Sequence, residues 1–353
     1  MTRNTIDSLR TALTDIEHPV LGEDIISLGL VTDIDIDMHH AVVELAMNAP
    51  FAPAEQAIGE AVVSAGEHLN LEVSINAGID PMPDEPLAEV RNVIAIAAGK
   101  GGVGKTTVAV NLAAGLAERG ARVGLLDADV HGPNVPRALP VESDPDLTPD
   151  DRIVPPMVEG ISVISMGMLL REQDDPVILR GPMLNDIRTK FIDEVAWGPL
   201  DYLIIDLPPG TGDGSLDVLQ SLRLSGAVVV TTPHPMARDD TKKALGMLDR
   251  HDVPVLGIVE NMRSVTCPHC EEDHQPFGDA ALDEVTEQYD IEAIGSLPIH
   301  PAIGTATEPI PWDLENPCYT LIDELVDTIA DRVSAANSER LDVESAEEPV
   351  TPP

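Results

Sequence analysis

The sequence predicts an α/β fold in which a mostly parallel sheet is flanked by helices and preceded by a smaller α/β domain. Three observations predict it. Residues 93–98 form a short continuous apolar run, followed by a glycine-rich stretch and then by helical periodicity over 108–116. Apolar runs of the same kind recur at 122–126, 202–206, 227–232 and 255–259 with longer segments between them, the pattern of strands buried on both faces. The first 77 residues instead carry two-residue alternation around one helical segment.

Taken in order, residues 5–13 are helical, and Glu17, His18 and Pro19 break that stretch. Residues 32–37 alternate Ile34 and Ile36 with acids, 42–47 form a second strand, and 38–40 are the turn between them. Residues 53–69 have helical spacing with Ala57, Ile58, Ala61, Val62 and Leu69 on one side, and 71–75 alternate again as a third strand. The prolines and acids of 78–90 mark a linker. The larger domain occupies 91–333, and 334–353 reads as an acidic, disordered tail. Within the larger domain 161–166 is a strand and 185–195 a helix.

Gly99, Lys100, Gly101, Gly102, Val103, Gly104, Lys105 and Thr106 satisfy G-x-x-x-x-G-K-[ST], with Thr107 next, between a predicted strand and a predicted helix. That context makes the stretch a phosphate cradle. The glycines let backbone N–H groups converge on phosphate oxygens at a helix N-terminus. Lys105 is placed to reach the β- and γ-phosphates of ATP and Thr106 to sit on Mg²⁺. A chance match in this composition is on the order of a few per thousand. The chain has only five lysines, and two of them, Lys100 and Lys105, serve this one loop. The fold class is therefore that of a P-loop NTPase.

Acids at the carboxyl ends of parallel strands lie beside a nucleotide crevice. Asp127 and Asp129 follow the second predicted strand of this domain; Asp129 is expected to orient the attacking water and Asp127 to support the Mg²⁺ shell. Asp206 ends another strand in the Walker B arrangement, holding Mg²⁺ through water. The Pro-Pro-Gly-Thr-Gly turn after it is suited to sense the γ-phosphate. Asn261, at the end of a later strand, is expected to contact the base.

Composition narrows the partners. There are 62 acidic against 21 basic residues, a net charge of −41. A hydrophobic content of 43% and the long apolar runs exclude a disordered chain, so the charge reads as adaptation to high salt. It also argues against nucleic acid, because no basic patch is available to release counterions. No run reaches the ~18 apolar residues of a membrane span, and no secretory leader opens the chain; a soluble, cytoplasmic protein is expected.

Three cysteines cannot make a disulfide framework. Cys267 and Cys270 are spaced as a metal half-site or a redox pair. One chain cannot supply four thiolates, and His269 and His274 could complete a zinc site, so the residues alone leave zinc and an iron–sulfur cluster open. Cys318 reads as a buried small hydrophobe, and His234, His251 and His300 lack ligand spacing.

Two resemblances add to this reading. The Pro19 region, the Ile-x-x-Leu-Gly-Leu-Val run ending at Val31, and the hairpin and helix after it resemble a metal–sulfur-cluster assembly (SufT-like) domain. In that family a cysteine often precedes the helix; here Phe51 takes the matching place, so the domain reads as a docking module or a structural one. The run Gly99 to Thr107 is similar to the deviant Walker A of the Mrp/MinD/ParA class. Residues 127–136, Arg180-Gly181-Pro182-Met183, 206–213, Glu260-Asn261-Met262, Cys267-Pro268-His269-Cys270 and 295–299 resemble Mrp/ApbC-type proteins in order over 91–333. The resemblance implies a homodimeric ATPase that carries a [4Fe–4S] cluster and passes it to apo-proteins. It implies that Lys100 reaches the nucleotide of the opposite subunit and acts with Lys105 and Asp129. It also implies that two chains place four cysteines around one cluster. Two rivals stand beside it: a MinD/ParA-like spatial-switch ATPase, and a zinc-stapled regulatory NTPase without a cluster.

Overall fold

The computed structural model describes residues 2–78, 87–129, 132–139, 141, 143–165, 168, 192, 194–267, 269–270, 272–278, 282–304 and 317–347. The chain divides into two compact units, one of residues 1–81 with 330–353 and one of 82–329. The segment expected as a helix at 185–195 lies almost wholly outside the described residues, as do Arg180-Gly181-Pro182-Met183.

The smaller unit opens with α1 (Thr2–Leu13), followed by β1 (Val31–Asp37), β2 (His40–Leu45), α2 (Pro53–His68) and β3 (Glu72–Ala77). Its sheet has the order β1-β2-β3; β1 and β2 are antiparallel, and β3 runs parallel to β2 after the α2 crossover. The alternation in the sequence explains the layering. Ala41, Val43 and Leu45 of β2 point inward, onto Leu9 and Leu13 of α1 and Ile58 and Val62 of α2, all buried. The tight turn between β1 and β2 falls at Met38, with a φ of 54°.

The larger unit is built on eight strands in the order β15-β12-β11-β4-β10-β5-β9-β8. These are β4 (Val90–Ala97), β5 (Val123–Asp127), β8 (Met157–Val158), β9 (Ile161–Ser165), β10 (Leu200–Asp206), β11 (Gly226–Thr231), β12 (Val255–Asn261) and β15 (Ala293–Leu297). Every pairing is parallel except β8 with β9. The short pieces β6 (Asp146–Leu147) and β7 (Ile153–Val154) pair with each other, as do β13 (Val265–Thr266) and β14 (Asp273–His274). The helices are α3 (Lys105–Glu118), α4 (Val135–Ala138), α5 (Asp213–Ser221), α6 (Pro235–Arg250), α7 (Asp283–Tyr289) and α8 (Pro301–Gly304). All residues of β10 and β11 are buried, which is why residues 202–205 and 226–230 read as unbroken apolar runs. Each large aliphatic side chain so buried contributes about 1.5–3 kcal/mol.

A last helix, α9 (Tyr319–Glu347), crosses the division between the units. Residues 334–347, expected as part of a disordered tail, are helical. The acidic composition hid a seam of small residues: Ser334, Ala335, Ala336 and Ser338 are buried. Within the larger unit Arg119 at the end of α3 pairs with Asp323 and Asp327 of this helix, both at 2.6 Å. Within the smaller unit Asp331 Oδ1 accepts from the Ala54 N–H at 2.7 Å, at the otherwise uncapped start of α2.

A buried polar chain lies beside it. His18 Nδ1 accepts from Val20 N–H, so its Nε2 carries the proton and donates to Ser334 Oγ at 3.3 Å. Ser334 Oγ donates to Glu55 Oε1, which also accepts from the Asn48 and Ala49 N–H groups. Burial holds the His18 imidazole below its usual pKa, so this chain forms around a neutral ring. The loop that carries Phe51 is thus fixed by a carboxylate, with Phe51 itself at a φ of 68°.

Candidate functional site

The parallel register brings the candidate acids together. Asp206 at the end of β10 sits opposite Asp127 at the end of β5 and Ile96 near the end of β4, and Asp127 sits opposite Ser165 on β9. The phosphate loop leaves β4 at the same sheet edge, where the strand order reverses direction around β4.

The loop closes onto α3 without a side-chain cap. Gly104 is the N-cap, at a φ of 90°, and a Cβ there would overlap Asn261 Nδ2. A Cβ on Gly99 would overlap the backbone of Asp240 in α6, so that glycine is required by close approach. Val103 and Lys105 are buried, and Lys100, Thr106 and Thr107 are half-buried. The uncapped first turn of α3 presents N–H groups and the positive end of the helix to this crevice, the arrangement suited to a polyphosphate.

Lys105 Nζ forms an ion pair with Asp206 Oδ1, and Thr106 Oγ1 donates to Asp206 Oδ2 at 2.6 Å. Asp206 is 1% exposed, and burial pushes its carboxyl upward against the pull of the Lys105 ammonium. Thr106 and Asp206 are therefore neighbours, as a hard, oxygen-ligated Mg²⁺ needs, and an acid whose charge is costly here gains from a divalent ion. The residues fit that ion.

Asp127, expected to support the Mg²⁺ shell, is held on both carboxylate oxygens by the protein. Its Oδ1 accepts from the Asp129 N–H at 3.1 Å, and its Oδ2 accepts from the Asn134 and Val135 N–H groups at 3.0 Å and from Ser165 Oγ at 3.1 Å. Both oxygens are engaged by the protein, and the residue fixes the turn that carries Asp129. Burial, and then the Asp206 charge beside it, push its pKa up to about 6. Asp129 is half-buried, its Oδ1 accepting from Gly132 N–H at 3.1 Å.

Asn261, expected to contact the base, is bonded here to the protein itself. Its Nδ2 donates to the Val103 carbonyl and its Oδ1 accepts from Met262 N–H, both at 2.9 Å. The amide is tied to the underside of the phosphate loop, which gives it a positioning role. Two supporting residues were not legible in advance: Ser165, whose only signal is a hydroxyl ending an apolar strand, and Asp240, a helix residue met through its backbone.

The thiols lie on a hairpin that begins a few residues beyond Asn261. β13 and β14 pair Val265 with His274 and Thr266 with Asp273, and Cys267 N–H donates to the Glu272 carbonyl at 2.9 Å. Cys267, Cys270 and His274 bring three ligand atoms within 4.8 Å of one another. Cys267 is half-buried and Cys270 exposed; the backbone N–H groups of Cys270 and His269 hold the Cys267 thiol below its ordinary pKa. Such a thiol loses its proton readily to solvent, leaving the thiolate that binds a metal. Cys318 is buried, as expected, and burial pushes its thiol up. His234 caps α6 by accepting from Met236 N–H, and its ring meets Phe277, just past the hairpin, edge-on at 5.7 Å between centroids.

No helix among the described residues is long and apolar enough to cross a membrane. A mostly parallel sheet with a glycine-rich loop between β4 and α3 and an aspartate ending a neighbouring strand define a P-loop ATPase. Residues 89–333 match the family described as NUBPL iron-transfer P-loop NTPase, and 6–76 match the iron–sulfur cluster assembly protein family. The chain is 38% identical over 308 residues to an iron–sulfur cluster carrier protein of Synechocystis, covering 84% of this chain and 87% of that one. It is 37% identical over 300 residues to an iron–sulfur cluster carrier protein of Escherichia coli, covering 82% and 80%. Among solved structures, the nucleotide-binding protein from Archaeoglobus fulgidus in complex with ADP, with cobalt, superposes with a TM-score of 0.55 at 35% identity, covering 69% of this chain and 90% of that one. The chain belongs to the iron-transfer P-loop NTPase family, with an iron–sulfur cluster assembly domain at its N-terminal side.

Proposed function

We propose that the protein is an ATP-dependent carrier in the cytoplasm that holds a [4Fe–4S] cluster between two copies of the chain and passes it to apo-proteins. The observation that carries this reading is the thiol hairpin itself. Cys267 and Cys270 stand close together, on a short exposed element joined to the strand whose end supports the phosphate loop. A pair of thiolates is half of the usual four-cysteine cluster ligation, and a second chain supplies the other half.

In this reading ATP binds with its phosphates on the loop of 99–106, Lys105 leaves Asp206 for the β- and γ-phosphates, and Lys100 crosses to the nucleotide of the partner. Mg²⁺, held through Thr106 and Asp206, supplies charge neutralisation at the phosphates. Asp129 orients the water. Two contacts connect the loop to the hairpin. One runs through Asn261 at the end of β12, the other through α6, whose Asp240 backbone abuts Gly99 and whose His234 cap touches Phe277. Nucleotide state thereby alters the separation or exposure of the thiol pairs and gates holding and release of the cargo.

The test is metal and sulfide analysis after anaerobic reconstitution. About four iron and four sulfide per two chains are expected, lost in the Cys267→Ala/Cys270→Ala variant while nucleotide binding survives. A cluster that persists in that variant, or zinc-free wild-type protein that takes up no iron and sulfide, overturns the reading.

A further inference from the structure

Beyond a cluster shared by two chains, the hairpin carries the donors for a different metal state within one chain. Cys267 lies just past β13, Cys270 at the turn, and His274 on β14, and one ligand atom from each falls within 4.8 Å of the others. Around a tetrahedral zinc-like ion, with bonds of about 2.3 Å to sulfur and 2.0–2.1 Å to nitrogen, ligand atoms stand roughly 3.5–3.8 Å apart. The hairpin therefore needs to close by only about 1 Å to reach that geometry.

Two features of the hairpin favour this closure. The β13–β14 pairing, the Cys267 N–H to Glu272 carbonyl bond and the Thr266 hydroxyl donating to Asp273 at 2.7 Å fix the backbone on either side of the turn. The local charge is negative, with Glu272 Oε2 at 3.9 Å from Cys270 Sγ, which favours a cation over a free thiol pair. His269 lies on the same turn but is not part of the group, so the histidine ligand is specified. Cys270 and His274 are exposed, which leaves one side of the ion open to water or to an incoming ligand.

We infer that Cys267, Cys270 and His274 of a single chain form a three-ligand site for one thiophilic divalent ion of the zinc or ferrous class, with a fourth position left open. The site needs no partner subunit. It competes with a shared cluster for the same thiols, so an ion seated here blocks cluster loading until it leaves.

Anaerobic titration of the reduced full-length chain with Co²⁺ tests it, reading the sulfur-to-cobalt charge-transfer and ligand-field bands. The expected result is one Co²⁺ per chain with the bands of a tetrahedral two-thiolate ion. His274→Ala, at an exposed position of a short hairpin, weakens binding at least about tenfold, and His269→Ala leaves it unchanged. One Co²⁺ per two chains, or a His274→Ala affinity equal to that of the wild type, overturns the inference. So does a loss confined to His269→Ala. The carrier reading stands or falls separately. Iron and sulfide retained by His274→Ala after reconstitution support a cluster held by cysteines alone, and wild-type protein that binds Co²⁺ but retains no iron and sulfide sinks the carrier while leaving this site intact.

Discussion

Asn261→Ala separates two roles for the residue that underlies the phosphate loop. Asn261 is 5% exposed and Val103 is 2% exposed, so truncation leaves the buried Val103 carbonyl and the half-buried Met262 N–H without the partners they have at 2.9 Å. Losing such a partner costs about 1–3 kcal/mol. Charged to the loop geometry that phosphate binding requires, this corresponds to an affinity loss of about 5- to 150-fold. Asn261→Asp loses more, since a carboxylate then faces the Val103 carbonyl oxygen and approaches the phosphates. Calorimetric titration with Mg-ATP and with Mg-tripolyphosphate distinguishes support from base recognition, because tripolyphosphate has no base. Loop support predicts that both ligands weaken by the same factor. If ATP weakens and tripolyphosphate binds as before, Asn261 reads the base and the reasoning from the apo geometry fails.

Four further outcomes are expected. Lys105→Ala abolishes nucleotide binding, read by a fluorescent ATP analogue; an unchanged affinity removes Lys105 from the phosphate site. Asp127, held at about 6 in the fold against an ordinary 3.8, binds its proton more tightly when folded, so its contribution to stability is present at acid pH and is lost as pH rises through about 6. The wild-type minus Asp127→Asn difference in unfolding free energy should fall by roughly 2.4 kcal/mol between pH 4 and 7, and a flat difference refutes this. Glu55→Ala strips the Asn48 and Ala49 N–H groups of their acceptor and breaks the chain to Ser334 and His18; about 1–3 kcal/mol of the smaller unit's stability should go, with faster hydrogen exchange at those two amides. With a charge of −41, raising KCl from about 0.1 to 1 M shortens the screening length from about 10 to 3 Å, so the melting temperature should rise; a fall removes the high-salt reading.

What was legible in the sequence follows from where burial is one-sided or complete. β4, β5, β10, β11 and β12 each have an apolar middle because both faces are covered there, and each strand appears within two or three residues of its expected place. Motif residues joined to those strands inherit their positions, which is why Lys105, Thr106 and Asp206 meet. Asp127 and Asn261 show the limit. Sequence places a polar side chain at a strand end but not which backbone groups turn toward it, and both were drawn inward by N–H and C=O groups that burial would otherwise leave unpaired. The helical continuation past residue 333 was hidden for a related reason. Ser334, like Asp331 before it, bonds within the smaller unit to groups about 280 residues away in sequence, contacts that no local periodicity reveals.

The charges around the phosphate loop decide what the site can accept. Asp127 and Asp129 both act on Asp206 or are acted on by it, so three acids share a crevice with Lys105, and Lys100 stands on the same loop. Three carboxylates against two ammonium groups leave this crevice net negative when all are ionised, which opposes a polyphosphate unless something offsets it. The fold offsets part of the difference itself: Asp127 is raised toward neutrality, and Asp206 is bound by Lys105 and Thr106 at the same time. Moving Lys105 to a phosphate strips Asp206 of its counter-charge in a site where it is 1% exposed, a state that costs several kcal/mol unless a cation takes the place of the ammonium. In the proposed carrier, the same ion pair that stabilises the crevice without nucleotide makes nucleotide binding an exchange of partners at Asp206, and ATP affinity should then depend on a divalent ion more strictly than the phosphate loop alone would require.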